Sequence, residues 1–93
     1  MRYVVAYDIE EDRVRLRISK LLERYGVRVQ KSVFECELEE ETLQHLKRRL
    51  QQELSRAPGG DVRVYRACAG CLEASWGLGE VEEGLGGEPW IVV

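Results

Sequence analysis

Residues 2–38 read RYVVAYDIEEDRVRLRISKLLERYGVRVQKSVFECEL, and the period of their apolar residues changes twice along the way. The opening RYVVAYDI is rich in Val, Tyr and Ile and predicts a strand. Alternation places Tyr3, Val5 and Tyr7 on one face and Val4, Ala6 and Asp8 on the other. Both faces are largely apolar, which is the pattern of a central strand covered on both sides. The exception is Asp8, a carboxylate at the C-terminal end. The period then becomes helical. Val14, Ile18, Leu21, Leu22 and Tyr25 fall at i, i+4, i+7, i+8 and i+11 and make one stripe. A helix over residues 12–25 follows, with Asp12 as N-cap and Gly26 as its C-terminal stop. Arg13, Arg15, Arg17, Lys20 and Arg24 lie largely off the stripe. From residue 27 the chain is extended again. Val27, Val29, Lys31 and Val33 hold one phase, and Phe34, Cys36 and Leu38 hold the other. The switch between residues 30 and 33 predicts a tight turn or a bulge between two short strands.

Outward from this stretch, the acidic residues 39–41 open a second helix that runs to Leu54, with negative charge at its positive end. Its Leu43, Leu46, Leu50 and Leu54 are spaced by three, four and four. Residues 57–61, APGGD, read as a loop, and residues 62–67, VRVYRA, as a further strand. A Gly- and Glu-rich segment from Glu73 ends in PWIVV, a short strand over residues 89–93. The order β-α-β-β-α-β with an additional C-terminal strand predicts an α+β, ferredoxin-like sandwich. With no internal repeat or boundary, residues 1–93 make a single domain. Two helices cover one face of such a sheet, while the first strand is apolar on both. A second copy of the chain would cover the other face, so a homodimer is expected. The terminal strand is expected to join a sheet edge, its own or the partner's.

Composition narrows the function classes. The 93 residues, 44% hydrophobic and 33% charged, suit one globular domain with a small core. The longest apolar runs, VVAY and WIVV, fall far short of the roughly 20 residues that span a bilayer. Charged residues interrupt the first run too early for a secretory signal. A cytoplasmic protein with no membrane contact is expected. Three cysteines are an odd count that argues against a disulfide framework. Cys68 and Cys71 form one CxxC, half of the four ligands that structural zinc takes. They read as small buried residues at a strand end. The only histidine, His45, falls on the second helix, where solvent exposure is expected. No Ser or Cys nucleophile has a positioned base, and the tail glycines do not open a helix after a strand. The net charge is −3 but uneven. Residues 1–31 carry eight Lys or Arg against five Asp or Glu, whereas the later segments are acidic.

YVVAYDI, the DRVRLRISKLLERYG helix and RVQKSVFECEL, in this order and at these separations, resemble the small CRISPR-associated endoribonuclease family. That family is the non-integrase half of the CRISPR adaptation core. VRVYRACAGCLE, residues 62–73, resembles its fourth strand and the segment after it. The resemblance implies a homodimer that binds nucleic acid, as duplex DNA or single-stranded RNA, and acts with CRISPR integrase subunits in spacer acquisition. Asp8 matches the family's ligand for a divalent metal, usually Mg²⁺, at the dimer interface. Hard Mg²⁺ takes carboxylate and water oxygens, and it would serve phosphodiester hydrolysis. Read without the resemblance, Asp8 is equally a cap of a turn or helix. Tyr7 is implied as a catalytic neighbour, although alternation turns it toward the opposite face, where core packing is the other reading. Arg15, Arg17 and Arg28 match positions that the family associates with nucleic acid, and guanidinium forks suit phosphate oxygens. A solvated helix face is the alternative for the arginines. Ser32 and Phe34 fall in the strand–turn segment of the active cleft, with Phe34 equally a core residue. Three functions stay open: an Mg²⁺-dependent endonuclease centred on Asp8, a non-catalytic DNA-binding scaffold of the integrase complex, and a toxin-type ribonuclease. The scaffold needs the basic face but not Asp8.

Overall fold

The computed structural model describes residues 1–74, and in it the alternation of the first strand, β1 (Arg2–Asp8), is realised residue by residue. Tyr3, Val5 and Tyr7 are buried, Val4 and Ala6 are half-buried, and Asp8 is exposed. Helix α1 (Asp12–Glu23) follows, then β2 (Gly26–Gln30), β3 (Val33–Glu37), α2 (Glu40–Leu54), β4 (Asp61–Ala67) and a short α3 (Ala69–Glu73). The strands form one antiparallel sheet in the order β2-β3-β1-β4. This is the ferredoxin-like arrangement that the element order predicts. The C-terminal strand expected over residues 89–93 lies outside the described residues.

Register puts Val5 opposite Phe34 on one side and Val64 on the other, and Tyr3 opposite Cys36. That face joins Val14, Ile18, Leu21 and Leu22 of α1 and Leu46 and Leu50 of α2 in one core. Ile18, Leu22, Phe34 and Leu46 are fully buried, each contributing about 1.5–3 kcal/mol. The other face carries Val4, Ala6, Val27, Glu35 and Tyr65. There Val27 is 40% and Tyr65 52% exposed, while Glu35 is buried to 2% and its Oε2 has no hydrogen-bond partner among the described residues.

Three local expectations need correction. Glu11, not Asp12, caps α1. Its extended backbone lets the carboxylate accept the N–H of Val14 at 2.9 Å, and Asp12 becomes the first helical residue. Gly26 does not stop the helix in a left-handed conformation, since among the described residues only Gly59 has positive φ, at 84°. Instead it opens β2, where a Cβ would lie 2.1 Å from the Glu35 carbonyl oxygen and 2.6 Å from Cys36 Sγ. Its glycine is required by space. Cys68 and Cys71 are exposed rather than buried, because the chain leaves the edge strand β4 at Ala67 and turns through α3 beyond the core. Cys36 is buried and His45 exposed, as expected. Of the turn or bulge expected between residues 30 and 33, the turn is present at residues 31–32, and a register shift lies just before it, between Arg28 and Gln30.

Candidate metal and nucleic-acid site

The end of β1 gathers negative charge. Asp8 stands opposite Asp61, the first residue of β4, and partners in an antiparallel pair project from the same face. Asp61 Oδ1 has Arg63 Nε at 3.8 Å, while among the described residues no side chain pairs with the Asp8 carboxylate. Beside it lies a cavity of about 170 Å³ lined by Asp8, Glu10, Glu11 and the loop residues Ala57, Pro58, Gly59 and Gly60. Glu11 is committed to its cap. Two carboxylates opposed across a sheet repel each other unless a cation lies between or near them. Their hard oxygens fit Mg²⁺, which binds through one or two carboxylates and retains several waters. No three His, Cys, Asp or Glu side chains cluster as ligands among the described residues, so the candidate donors here are the two carboxylates of Asp8 and Asp61.

Asp61 was not among the residues that sequence reasoning singled out. It reads as the last residue of a turn-forming loop, and its alignment with Asp8 follows only from the β1–β4 register.

Tyr7, Ser32 and Phe34 meet around the same end of the sheet, but as supports. Tyr7 is 6% exposed, and its ring stacks on Phe34 with centroids 6.4 Å apart. Its backbone N–H donates to the Ser32 carbonyl at 3.0 Å and ties β1 to the β2–β3 turn. Strand alternation turns the Tyr7 ring toward the helices and Asp8 toward the opposite face.

The arginines divide. Arg15 is half-buried and donates to the carbonyls of Ile9 at 3.1 Å and Glu10 at 3.3 Å, with a further bond to Asp12. It braces the β1–α1 loop immediately after Asp8. Arg17 is exposed, 3.8 Å from Glu53 Oε2, and lines a shallow hollow with Arg13 and Arg56. Arg28 lies two strands from Asp8, bonded to Ser19 Oγ and placed 5.5 Å over the Phe34 ring. Arg15 therefore reaches the main chain after Asp8, not its carboxylate, while Arg17 and Arg28 occupy separate positions.

The family model for CRISPR associated protein Cas2 matches residues 1–74, which is more than half of the chain. The chain belongs to the Cas2 family. It is 47% identical over 73 residues to the "CRISPR-associated endoribonuclease Cas2 1" of Chloroflexus aurantiacus, a match covering 78% of each protein. Among solved structures, Streptococcus pyogenes Cas2 at pH 6.5 superposes with a TM-score of 0.72 at 33% identity, covering 85% of this chain and all of that one. A chain of a partial Cas6-RT-Cas1–Cas2 complex gives a TM-score of 0.73 at 27% identity, with 95% and 93% covered. Membership of the Cas2 family accords with the mixed fold and its antiparallel four-stranded sheet. No helix among the described residues is long and apolar enough to cross a membrane.

Proposed function

We propose that this Cas2-family chain acts in CRISPR adaptation as a homodimer that binds nucleic acid, works with an integrase partner and hydrolyses phosphodiester bonds with Mg²⁺ held at Asp8. The observation that carries the reading is the exposed, unpaired Asp8 carboxylate opposed to Asp61 at the end of β1. Asp8 and Asp61 would hold the ion, together with Asp8 of a second copy. When bound, Mg²⁺ supplies Lewis acidity at the phosphate and makes water a better nucleophile. Arg15 fixes the loop behind Asp8 by bonding its carbonyls, and the Tyr7–Phe34 stack with the Ser32 bond keeps the strand end in register. Arg17 and Arg28 would take phosphate oxygens of single-stranded RNA or duplex DNA away from the reacting centre. The relative from Chloroflexus aurantiacus, named an endoribonuclease, supports hydrolysis, and the similar chain in a Cas1–Cas2 complex supports the integrase partner.

The second reading is a scaffold that binds duplex DNA without cutting, which needs the basic residues but not Asp8. Cleavage and binding separate the two readings. Labelled RNA and duplex DNA are incubated with wild type and Asp8→Asn, each with Mg²⁺ and with chelator. Metal-dependent cutting lost in Asp8→Asn, with binding retained, is the expected result. Salt-sensitive binding by both proteins with no cutting by either would leave the scaffold.

A further inference from the structure

We propose that Cys68 and Cys71 form a redox-active dithiol, closing to a reversible disulfide by exchange with low-molecular-weight disulfides. The pair stands apart from the carboxylates and arginines of the nucleic-acid reading, which give it no task.

The geometry is that of a bridge about to form. Both thiols are exposed, and the turn into α3 brings Cys68 Sγ and Cys71 Sγ to 3.1 Å. A disulfide needs about 2.05 Å between sulfurs, so closure asks for about 1 Å of approach. The residues between them, Ala69 and Gly70, are small, and a Cβ built on Gly70 meets nothing within 4 Å, so the segment has room to adjust.

The two sulfurs are not equivalent. Cys68 Sγ accepts the backbone N–H of Cys71 at 3.4 Å. Hydrogen bonding from the Cys71 thiol, then from that N–H, holds the Cys68 thiol below its ordinary range. Cys71 is pushed up by its hydrogen bond to Cys68 and then by the charge Cys68 would carry. Cys68 is therefore the attacking thiolate and Cys71 the resolving thiol. The third cysteine is an internal control. Cys36 is buried, and burial, followed by the nearby Glu35 charge, pushes its thiol up to about 11.

The steps balance. The Cys68 thiolate attacks one sulfur of a disulfide RSSR, forming a Cys68–SR mixed disulfide, and the expelled RS⁻ takes up a proton. Cys71 then loses its proton and attacks Cys68 Sγ, forming the Cys68–Cys71 bond and releasing the second RS⁻, which also protonates. The two protein thiols are oxidised by two electrons, and RSSR is reduced to two RSH. Metal capture would be a different use of the pair, which alone makes half of the four ligands structural zinc takes.

The test uses the full chain, reduced and desalted, with oxidised glutathione as oxidant under native conditions. Native alkylation followed by intact-mass and peptide analysis reads the outcome. Reduced wild type should take two labels, at Cys68 and Cys71, and after oxidation none, with two hydrogens lost and a crosslinked 68–71 peptide. Cys36 should label only after denaturation. Cys71→Ser should stop with one glutathionyl group on Cys68, and Cys68→Ser should react at least tenfold more slowly than wild type. Circular dichroism verifies that both variants fold. Two labelled thiols persisting after oxidant, or a bridge involving Cys36 instead, would overturn the proposal. Zn²⁺ that blocks labelling, survives gel filtration and leaves no bridge after oxidant would overturn it in favour of a metal site.

Discussion

Replacing Asp8 by Asn should stabilise the protein in chelator and remove its response to Mg²⁺. Asp8 opposes Asp61 across the β1–β4 pair, and Asp8 has no ion partner among the described residues that its removal would forfeit. Like charges directly opposite in a sheet cost about 0.2–1 kcal/mol. For a domain of this size, 1 kcal/mol moves the midpoint by about 4–8 °C, so the gain is roughly 1–8 °C. Wild type should rise in Mg²⁺ by mass action, reaching about 2.7 kcal/mol at one hundred times Kd. The assay is thermal unfolding followed by circular dichroism at fixed protein concentration, with chelator and across an Mg²⁺ series. Asp61→Asn should lose part of the Mg²⁺ response but gain less in chelator, because it also surrenders the Arg63 pair. A midpoint for Asp8→Asn below wild type in chelator, or a rise of Asp8→Asn in Mg²⁺ as large as that of wild type, would refute the paired-carboxylate reasoning.

Other perturbations read the supports of the site. Gly26→Ala places a methyl against the Glu35 carbonyl and Cys36 Sγ and should cost about 1–3 kcal/mol in urea unfolding, whereas Gly59→Ala meets no atom and should cost about 1–2 kcal/mol through its positive φ alone. Because the Gly26 term is steric, Gly26→Ser should be at least as damaging, and a neutral Gly26→Ala would contradict the close approach of β2 and β3. Glu11→Ala removes the α1 cap and should lower stability by about 1 kcal/mol, while Asp12→Ala should cost less. The carboxyl of Glu37 is held below the usual range, first by its hydrogen bond from the N-terminal ammonium and also by Arg2. Its stabilising contribution is present above the ordinary carboxylate pKa and fades as pH falls through the lower folded value. Glu37→Gln should therefore flatten the acid limb of a stability–pH profile.

What the sequence made legible was what local periodicity controls. The phase Tyr3, Val5, Tyr7 and the stripe from Val14 to Leu22 are buried as read. The other phase of β1, expected to be covered as well, is only half-buried at Val4 and Ala6 in the protomer. The order of elements then restricts the topology to few choices, which explains why the sheet order followed from the reading. Features that depend on residues far apart in the chain were harder to see. Gly26 carries a Gly for the sake of Glu35 and Cys36, which a helix-stop rule cannot reveal. Asp61 reads as a turn residue until the register sets it beside Asp8. Glu11 and Asp12 are adjacent acids, and which of them caps depends on where the chain bends after β1. The fate of Cys68 and Cys71 turned on β4 being an edge strand, which composition does not disclose.

Two features of the protomer point to the same physical remedy. The sheet face opposite the main core exposes Val27 and Tyr65, an apolar surface that water solvates poorly. On that same face, the end of β1 presents Asp8 beside Asp61. A second copy placed over the apolar residues would bury them and add further carboxylate oxygens to a hard-cation site. The gain from apolar burial would then offset the repulsion of gathering like charges, and a cation would reduce that repulsion. In the proposed homodimer, assembly and metal binding are consequently linked: Mg²⁺ should tighten the dimer, and dimerisation should tighten Mg²⁺ by the same factor. The acidic strand end and the apolar residues can share one interface because the alternation of β1 sets Val4, Ala6 and Asp8 in a single row on one face.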